Sequence, residues 1–264
     1  MDFTDDQLHR YARHIVLPEV GGVGQAKLMR ARVLVIGAGG LGAPLLMYLA
    51  AAGIGVIGVV DDDVVDLSNL QRQVIHGTGQ IGRAKVESAR AAVADINPEI
   101  EIIAHQERVT ARNVMELIAD YDVVADGSDN FETRFLLNDA CHLSGKILVS
   151  AAILRFEGQL ATFKSGLGKE FPCYRCLYRD PPPPGMIPSC AEGGVLGALA
   201  GVMGSLQTTE ILKEIMEIGN SMAGSLLIYD ALNTTFRNMK LKPDPGCPLC
   251  GDALSITDLS NHLG

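Results

Sequence analysis

Short apolar runs alternate with longer amphipathic stretches along the first 150 residues. Arg32–Ile36 (RVLVI) is too short for a helix and predicts a strand. GAGGLG follows at Gly37–Gly42, and then Ala43–Ala52 predicts a helix with Pro44 in its first turn, where a missing N–H does no harm. Gly55–Val60 reads as a second strand. Gly82–Ile96 predicts a helix with Val86, Ala89, Val93 and Ile96 on one face, closed by Asn97 and Pro98. Ile100–Ala104, Asp122–Ala125 and Lys146–Ser150 predict further strands, separated by helices at Ala111–Ala119 and Phe131–Leu143. Residues 5–14 and 22–30 pattern as short helices ahead of the first strand. This alternation predicts an α/β fold, a Rossmann-like and mostly parallel sheet with helices on both faces.

The pattern changes after residue 150. Gln159–Phe163 predicts a strand with no helix behind it. FPCYRC and a proline-rich loop, RDPPPPGMIPSCAEGG, come next. A long apolar helix over Val195–Ile218 and two strands, Leu226–Tyr229 and Thr234–Met239, precede a tail with a second CxxC. There is no internal repeat and no free linker. The reading is one domain over 1–264, with N-terminal helices (1–30), a nucleotide-binding half (31–150) and an elaborated C-terminal half (151–264).

The chain has 264 residues, 47% hydrophobic and 20% charged, with a net charge of −9. That balance suits a globular core and argues against a general nucleic-acid or anionic-membrane binder. The start is acidic and polar, without the apolar centre of a signal peptide. Ala43–Val60 is the longest apolar stretch, but Gly53, Gly55 and Gly58 make it helix, turn and strand, not a membrane span. A cytoplasmic protein is expected.

Gly37, Gly39 and Gly42 form G-x-G-x-x-G between a strand and a helix, where backbone N–H groups and the helix dipole favour phosphate. The motif alone fits NAD, FAD, ATP or an empty tight turn. Asp61, 24 residues after Gly37, stands near the usual offset for a ribose-binding acid. A dehydrogenase would now turn into its next helix; this chain instead runs through DLSNLQRQ. Asn69, Arg72 and Lys85 beyond a ribose site suit a polyphosphate better than a nicotinamide. Asp129 and Asn130 follow the strand ending at Ala125. Asp129 fits a Mg²⁺ carboxylate facing a triphosphate, and either residue fits a helix cap.

Four of the six cysteines form two CxxC pairs, Cys173/Cys176 and Cys247/Cys250. Four thiolates suit a closed structural Zn²⁺ site that would tie the tail to the middle of the chain; redox dithiols are the alternative. Cys190 precedes the long helix, whose dipole would lower a thiol's pKa. Cys141 falls inside a helix and reads as core. The six histidines show no ligand spacing.

GAGGLG, D-x-D-x-V-x-x-SNLQRQ, the lysine of GRAKVESA, D-N-x-x-x-R at 129–134 and the CxxC pairs occur in one order, with RYARHIVL before them and GSLQ and YDA after. In this the chain resembles the ThiF/MoeB/HesA group of ubiquitin-activating-enzyme-like adenylyltransferases. The resemblance implies adenylation, by ATP and Mg²⁺, of the C-terminal Gly-Gly of a small ubiquitin-like sulfur-carrier protein in molybdopterin or thiamin synthesis. It implies Gly40, Asp61, the run Ser68, Asn69, Leu70, Gln71 and Arg72, then Lys85, Asp129 and Asn130, as nucleotide-site residues. It favours zinc at the cysteines. It also implies a homodimer in which Arg13 reaches the partner's site, and in some relatives a covalent carrier link through a cysteine near Cys190. The run Pro181–Pro184 departs from the pattern. The chain ends at Gly264 without a rhodanese-like extension, so a separate sulfur-donor protein is expected. Two competing functions are an NAD-dependent oxidoreductase, which leaves Arg72, Lys85 and four cysteines unexplained, and a scaffold that binds nucleotide without catalysis, which would be expected to lack Arg72, Lys85 or Asp129.

Overall fold

A computed structural model describes residues 3–183, 186 and 193–263. Eight strands form one sheet in the order β3-β2-β1-β4-β5-β6-β7-β8. β1 (Arg32–Ile36), β2 (Val56–Val60), β3 (Glu101–His105), β4 (Val123–Asp126) and β5 (Ile147–Leu154) run parallel. β6 (Glu157–Phe163), β7 (Ser225–Asp230) and β8 (Thr235–Lys240) continue antiparallel from β5. The helices are α1 (Asp5–Arg10), α2 (Ala12–Ile15), α3 (Gly21–Arg30), α4 (Gly42–Ala52), α5 (Lys85–Ile96), α6 (Val114–Ala119), α7 (Phe131–Ser144), α8 (Tyr174–Leu177) and α9 (Gly197–Met216).

Strand alternation divides the core in two. Val33 and Val35 of β1 join the cluster of α4, α5 and α9, including Leu45, Leu49, Val86, Met203 and Ile211. Leu34 and Ile36 face the other way, toward Ile118 of α6 and Phe135 and Leu137 of α7. A parallel strand covered on both faces needs such an unbroken apolar run, which is why RVLVI shows no polar alternation. Strand order reverses between β1 and β4, so the loops leaving their carboxyl ends diverge and open a crevice, as open α/β sheets do at this point.

Several boundaries differ from the sequence reading. The helix expected from Gly82 begins at Lys85 because residues 82–84 pair with 64–65: Gly82 N–H donates to Val65 C=O at 2.8 Å, and Val65 N–H donates to Arg83 C=O at 2.9 Å. This pairing closes the base of the loop that carries Ser68–Gln73. The helix expected from Ala111 begins at Val114, because the Asn113 side chain folds back to accept the Thr110 N–H at 2.7 Å. Residues 5–14 break at Tyr11, whose buried ring separates α1 from α2. Among the described residues, no helix is long and apolar enough to cross a membrane.

Candidate active site

The turn after β1 is shaped by two glycines. Gly37 takes φ +92°, a left-handed value that side chains disfavour, and a β-carbon on Gly42 would lie 1.9 Å from the Gly37 carbonyl oxygen. The turn therefore closes tightly onto the first residue of α4. Asp61, at the carboxyl end of β2, accepts the Ala38 N–H at 2.8 Å and the Asp63 N–H at 2.9 Å. His76 supports the same turn from beneath: its buried ring lies 2.9 Å from Ala38 C=O through Nε2 and 2.8 Å from Ser88 Oγ through Nδ1. Burial, the largest influence, lowers the His76 pKa and keeps the ring neutral.

A short 3₁₀ turn at Leu67–Asn69 follows, capped by Asp66. The Ser68 hydroxyl donates to Asp66 at 2.5 Å, and the Asn69 amide oxygen accepts the Asp66 N–H at 3.3 Å. Arg72 Nη1 donates to Ser68 C=O at 3.1 Å, which aims the guanidinium back along the loop, and a β-carbon on Gly40 would meet Arg72 Cδ at 3.5 Å. Lys85, in the first turn of α5, is buried and paired with Asp63 at 2.7 Å.

At the end of β4, Asp126 is fully buried and accepts hydrogen bonds from the Ser128 and Ser150 hydroxyls, each at 2.6 Å. Arg134 lies 3.5 Å from Asp126 and donates to Ala151 C=O at 2.8 Å and to Ser128 C=O. Asn130 caps α7 by accepting the Thr133 N–H at 2.8 Å. Asp129 is exposed and has no hydrogen-bond partner among the described residues.

These segments surround one cavity of about 980 Å³. Gly37, Gly39, Gly40, Asp61, Arg72, Lys85, Asp129 and Asn130 line it. Gly42, Ser68, Asn69, Leu70 and Gln71 do not: Gly42 starts the helix, Ser68 and Asn69 are engaged by Asp66, and Gln71 packs on α9, where a β-carbon on Gly197 would lie 2.2 Å from the Gln71 carbonyl oxygen. The cavity continues past Gln159, Tyr174, Tyr178 and Val195.

The sulfur atoms of Cys173, Cys176, Cys247 and Cys250 all lie within 4.8 Å of one another. Neighbouring thiols hold Cys247 far below the ordinary range and Cys173 far above it, since the four share protons in a buried space. With Leu249 and Ile256 they form a small core of their own.

A profile of the ThiF family matches residues 11–249. The chain belongs to the ThiF family. It is 49% identical to the sulfur carrier protein adenylyltransferase of Thermus thermophilus, over 99% of this chain and 97% of that protein. It is 52% identical to the probable adenylyltransferase/sulfurtransferase MoeZ of Mycobacterium tuberculosis, over 97% of this chain but 64% of that protein, so it spans less than two thirds of MoeZ. A crystal structure of E. coli MccB with the peptide MccA-N7isoASN shares the fold, with a TM-score of 0.82 at 19% identity, covering 94% of this chain and 76% of MccB.

In this ThiF-family chain, Arg13 sits apart from the cavity, exposed and without a polar partner among the described residues. Tyr11 anchors its segment by accepting the Asn97 amide at 2.9 Å. Cys190 lies outside the described residues, as does Pro184 of the proline run. Cys141 is buried in the core, as its helical position suggests. Sequence reasoning missed Asp126, Arg134 and His76. The arginine of D-N-x-x-x-R was a usable signal for Arg134. His76 had none, because its partners lie at residues 38 and 88.

Proposed function

We propose that this protein adenylates the C-terminal Gly-Gly carboxylate of a small ubiquitin-like sulfur-carrier protein with Mg²⁺–ATP, as activation for sulfur transfer in molybdopterin or thiamin synthesis. One observation carries the reading: Gly37–Gly40, Asp61, Arg72, Lys85 and Asp129 meet around one cavity at the strand-order reversal, in a chain about half identical to a sulfur carrier protein adenylyltransferase.

The carrier carboxylate attacks the α-phosphorus of ATP, a C–O–P bond forms, and the bond to the β-phosphate oxygen breaks to release pyrophosphate. Attacker and target are both anionic, so positioning and charge neutralisation supply the catalysis. Arg72 and Lys85 provide fixed positive charge, and the glycine turn provides N–H donors at a helix N-terminus. The carboxylate is already ionised near neutral pH, so no general base is required. Asp129 fits a Mg²⁺ ligand because it lines the cavity and has no hydrogen-bond partner among the described residues; Mg²⁺ there would neutralise phosphate charge. The passage by Gln159, Tyr174 and Tyr178 suits an extended carrier tail.

The four cysteines fit structural zinc: Zn–S bonds of about 2.3 Å require tetrahedral S···S separations of roughly 3.8 Å, and four of the six pairs lie at 3.4–4.0 Å with all six within 4.8 Å. We further propose a homodimer with Arg13 directed to the partner's site, a carrier link through Cys190, a separate sulfur donor and a cytoplasmic setting. Pyrophosphate exchange measured with purified carriers tests the function. Exchange that appears only with a Gly-Gly terminus supports it, and none with any such carrier overturns it.

A further inference from the structure

Gln73, the residue after the Ser68–Arg72 run, is 4% exposed and lines the cavity. Its Oε1 is enclosed and has no hydrogen-bond partner, and its Nε2 has none among the described residues. Nε2 stands 3.6 Å from where a β-carbon on Gly39 would lie, so the carboxamide rests directly on the glycine turn. Its backbone is held firmly: Gln73 N–H donates to Asn69 C=O at 3.0 Å, and Gln73 C=O accepts the His76 N–H at 3.0 Å. His76 is in turn fixed to Ala38 and Ser88. A rigid turn thus presents an amide with no partner among the described residues to a cavity that Arg72 and Lys85 also line.

Buried amides almost always find partners, and an unpaired one lowers stability. A glutamine kept in this state beside a glycine turn and two cations is complementary to something that arrives later. We propose that the Gln73 carboxamide is a direct ligand of the bound nucleotide's phosphate groups. The inference rests on the ATP reading above and extends it by one residue. The amide offers two N–H donors to phosphoryl oxygens and one acceptor to the water around them, and a half-turn of its last bond exchanges the two ends.

The test is Mg²⁺–ATP binding by calorimetry, with melting curves of the ligand-free protein, for wild type, Gln73→Leu, Gln73→Asn and Gln73→Glu. Leucine fills the same space without polar atoms. Ligand-free Gln73→Leu is therefore expected to melt at or above the wild-type temperature, while its Kd for Mg²⁺–ATP rises about tenfold or more. Asparagine withdraws the amide by one carbon and gives an intermediate loss; glutamate adds a like charge and gives the largest. Adenosine competition stays unchanged throughout. If the leucine variant folds poorly, the asparagine variant carries the comparison. Binding within twofold of wild type in every folded variant overturns the proposal. A wild-type protein that does not bind Mg²⁺–ATP overturns the nucleotide reading itself.

Discussion

Asn130 caps α7 through the Thr133 N–H, while the adjacent Asp129, at the cavity wall, has no hydrogen-bond partner among the described residues. The two side chains therefore separate by mutation. Asp129→Ala is expected to lower pyrophosphate exchange by ~10²–10³ with little change in melting temperature, as removal of one electrostatic element does. Asn130→Ala is expected to cost about 1 kcal/mol of stability through the lost cap. Near-normal exchange in Asp129→Ala would remove that residue from the chemistry. The buried His76 and the half-buried His142 set a pH dependence. Burial is the first cause that lowers His76 and His142, so the unfolded chain binds protons below about pH 6.5 that the folded chain refuses. Their contribution is full above that pH and declines as pH falls toward the folded values. Urea midpoints at pH 7.5 and 5.5 should therefore converge more closely in a His76→Gln, His142→Gln variant than in wild type; equal differences would contradict this. At this scale the cavity-lining residues were legible where charge stood out in an acidic chain, as with Arg72 and Lys85. His76 and Gln73 were not, because their meaning lies in partners, or in missing ones, that only folding brings near.

Elements were legible wherever burial on both faces enforced a continuous apolar run, as in β1 and β4, and ends were lost wherever tertiary pairing competed with local pattern. Gly82–Ala84 pairs with Val64 and Val65 and so cannot begin α5. β5 extends to Leu154, four residues past the expected end, because Ala151–Leu154 find antiparallel partners in Glu157–Leu160. The helix α8 starts just after Cys173, contains Cys176 and is only four residues long, so it has no periodicity to read. Its Arg175 is buried against Asp139 of α7 at 2.7 Å, and His262 from the tail reaches the same carboxylate at 2.8 Å. The cysteine cluster and the pairings at Asp139 therefore together hold α7, α8 and the tail. About one zinc per chain is expected in freshly purified, reduced protein. Chelation or Cys247→Ser should lower the melting temperature more than it changes Mg²⁺–ATP affinity. Metal analysis that finds no zinc would refute this.

The parallel architecture and the position of the crevice were legible from the sequence, since both follow from the order of strand and helix. Assembly of the whole molecule is an expectation that rests on the resemblance alone. Arg13 stands exposed and without a polar partner among the described residues, and Tyr11 anchors its segment. If Arg13 completes a partner's site across a two-fold axis, Arg13→Ala and Asp129→Ala homodimers should each be weak. A mixture should then recover up to about a quarter of wild-type pyrophosphate exchange, because random exchange makes some heterodimers with one intact site. No recovery after verified subunit exchange would confine Arg13 to its own chain or to no role. The placement of α9 has a consequence of another kind. Leu199, Met203 and Ile211 share one core with Leu45 and Leu49 of α4 and Val149 of β5, and Gln207 bonds the carbonyls of Asp126 and Val149, each at 2.9 Å. Lys27 reaches the Met216 carbonyl at 3.0 Å, which joins the first helices to the end of α9. During synthesis, then, the glycine turn and its helix leave the ribosome long before the segment that backs them. A nascent chain stopped short of residue 197 exposes the apolar face of α4 and is open to proteases and chaperones. The glycine turn and α4 therefore gain their full cover only after residues 197–216 have been made.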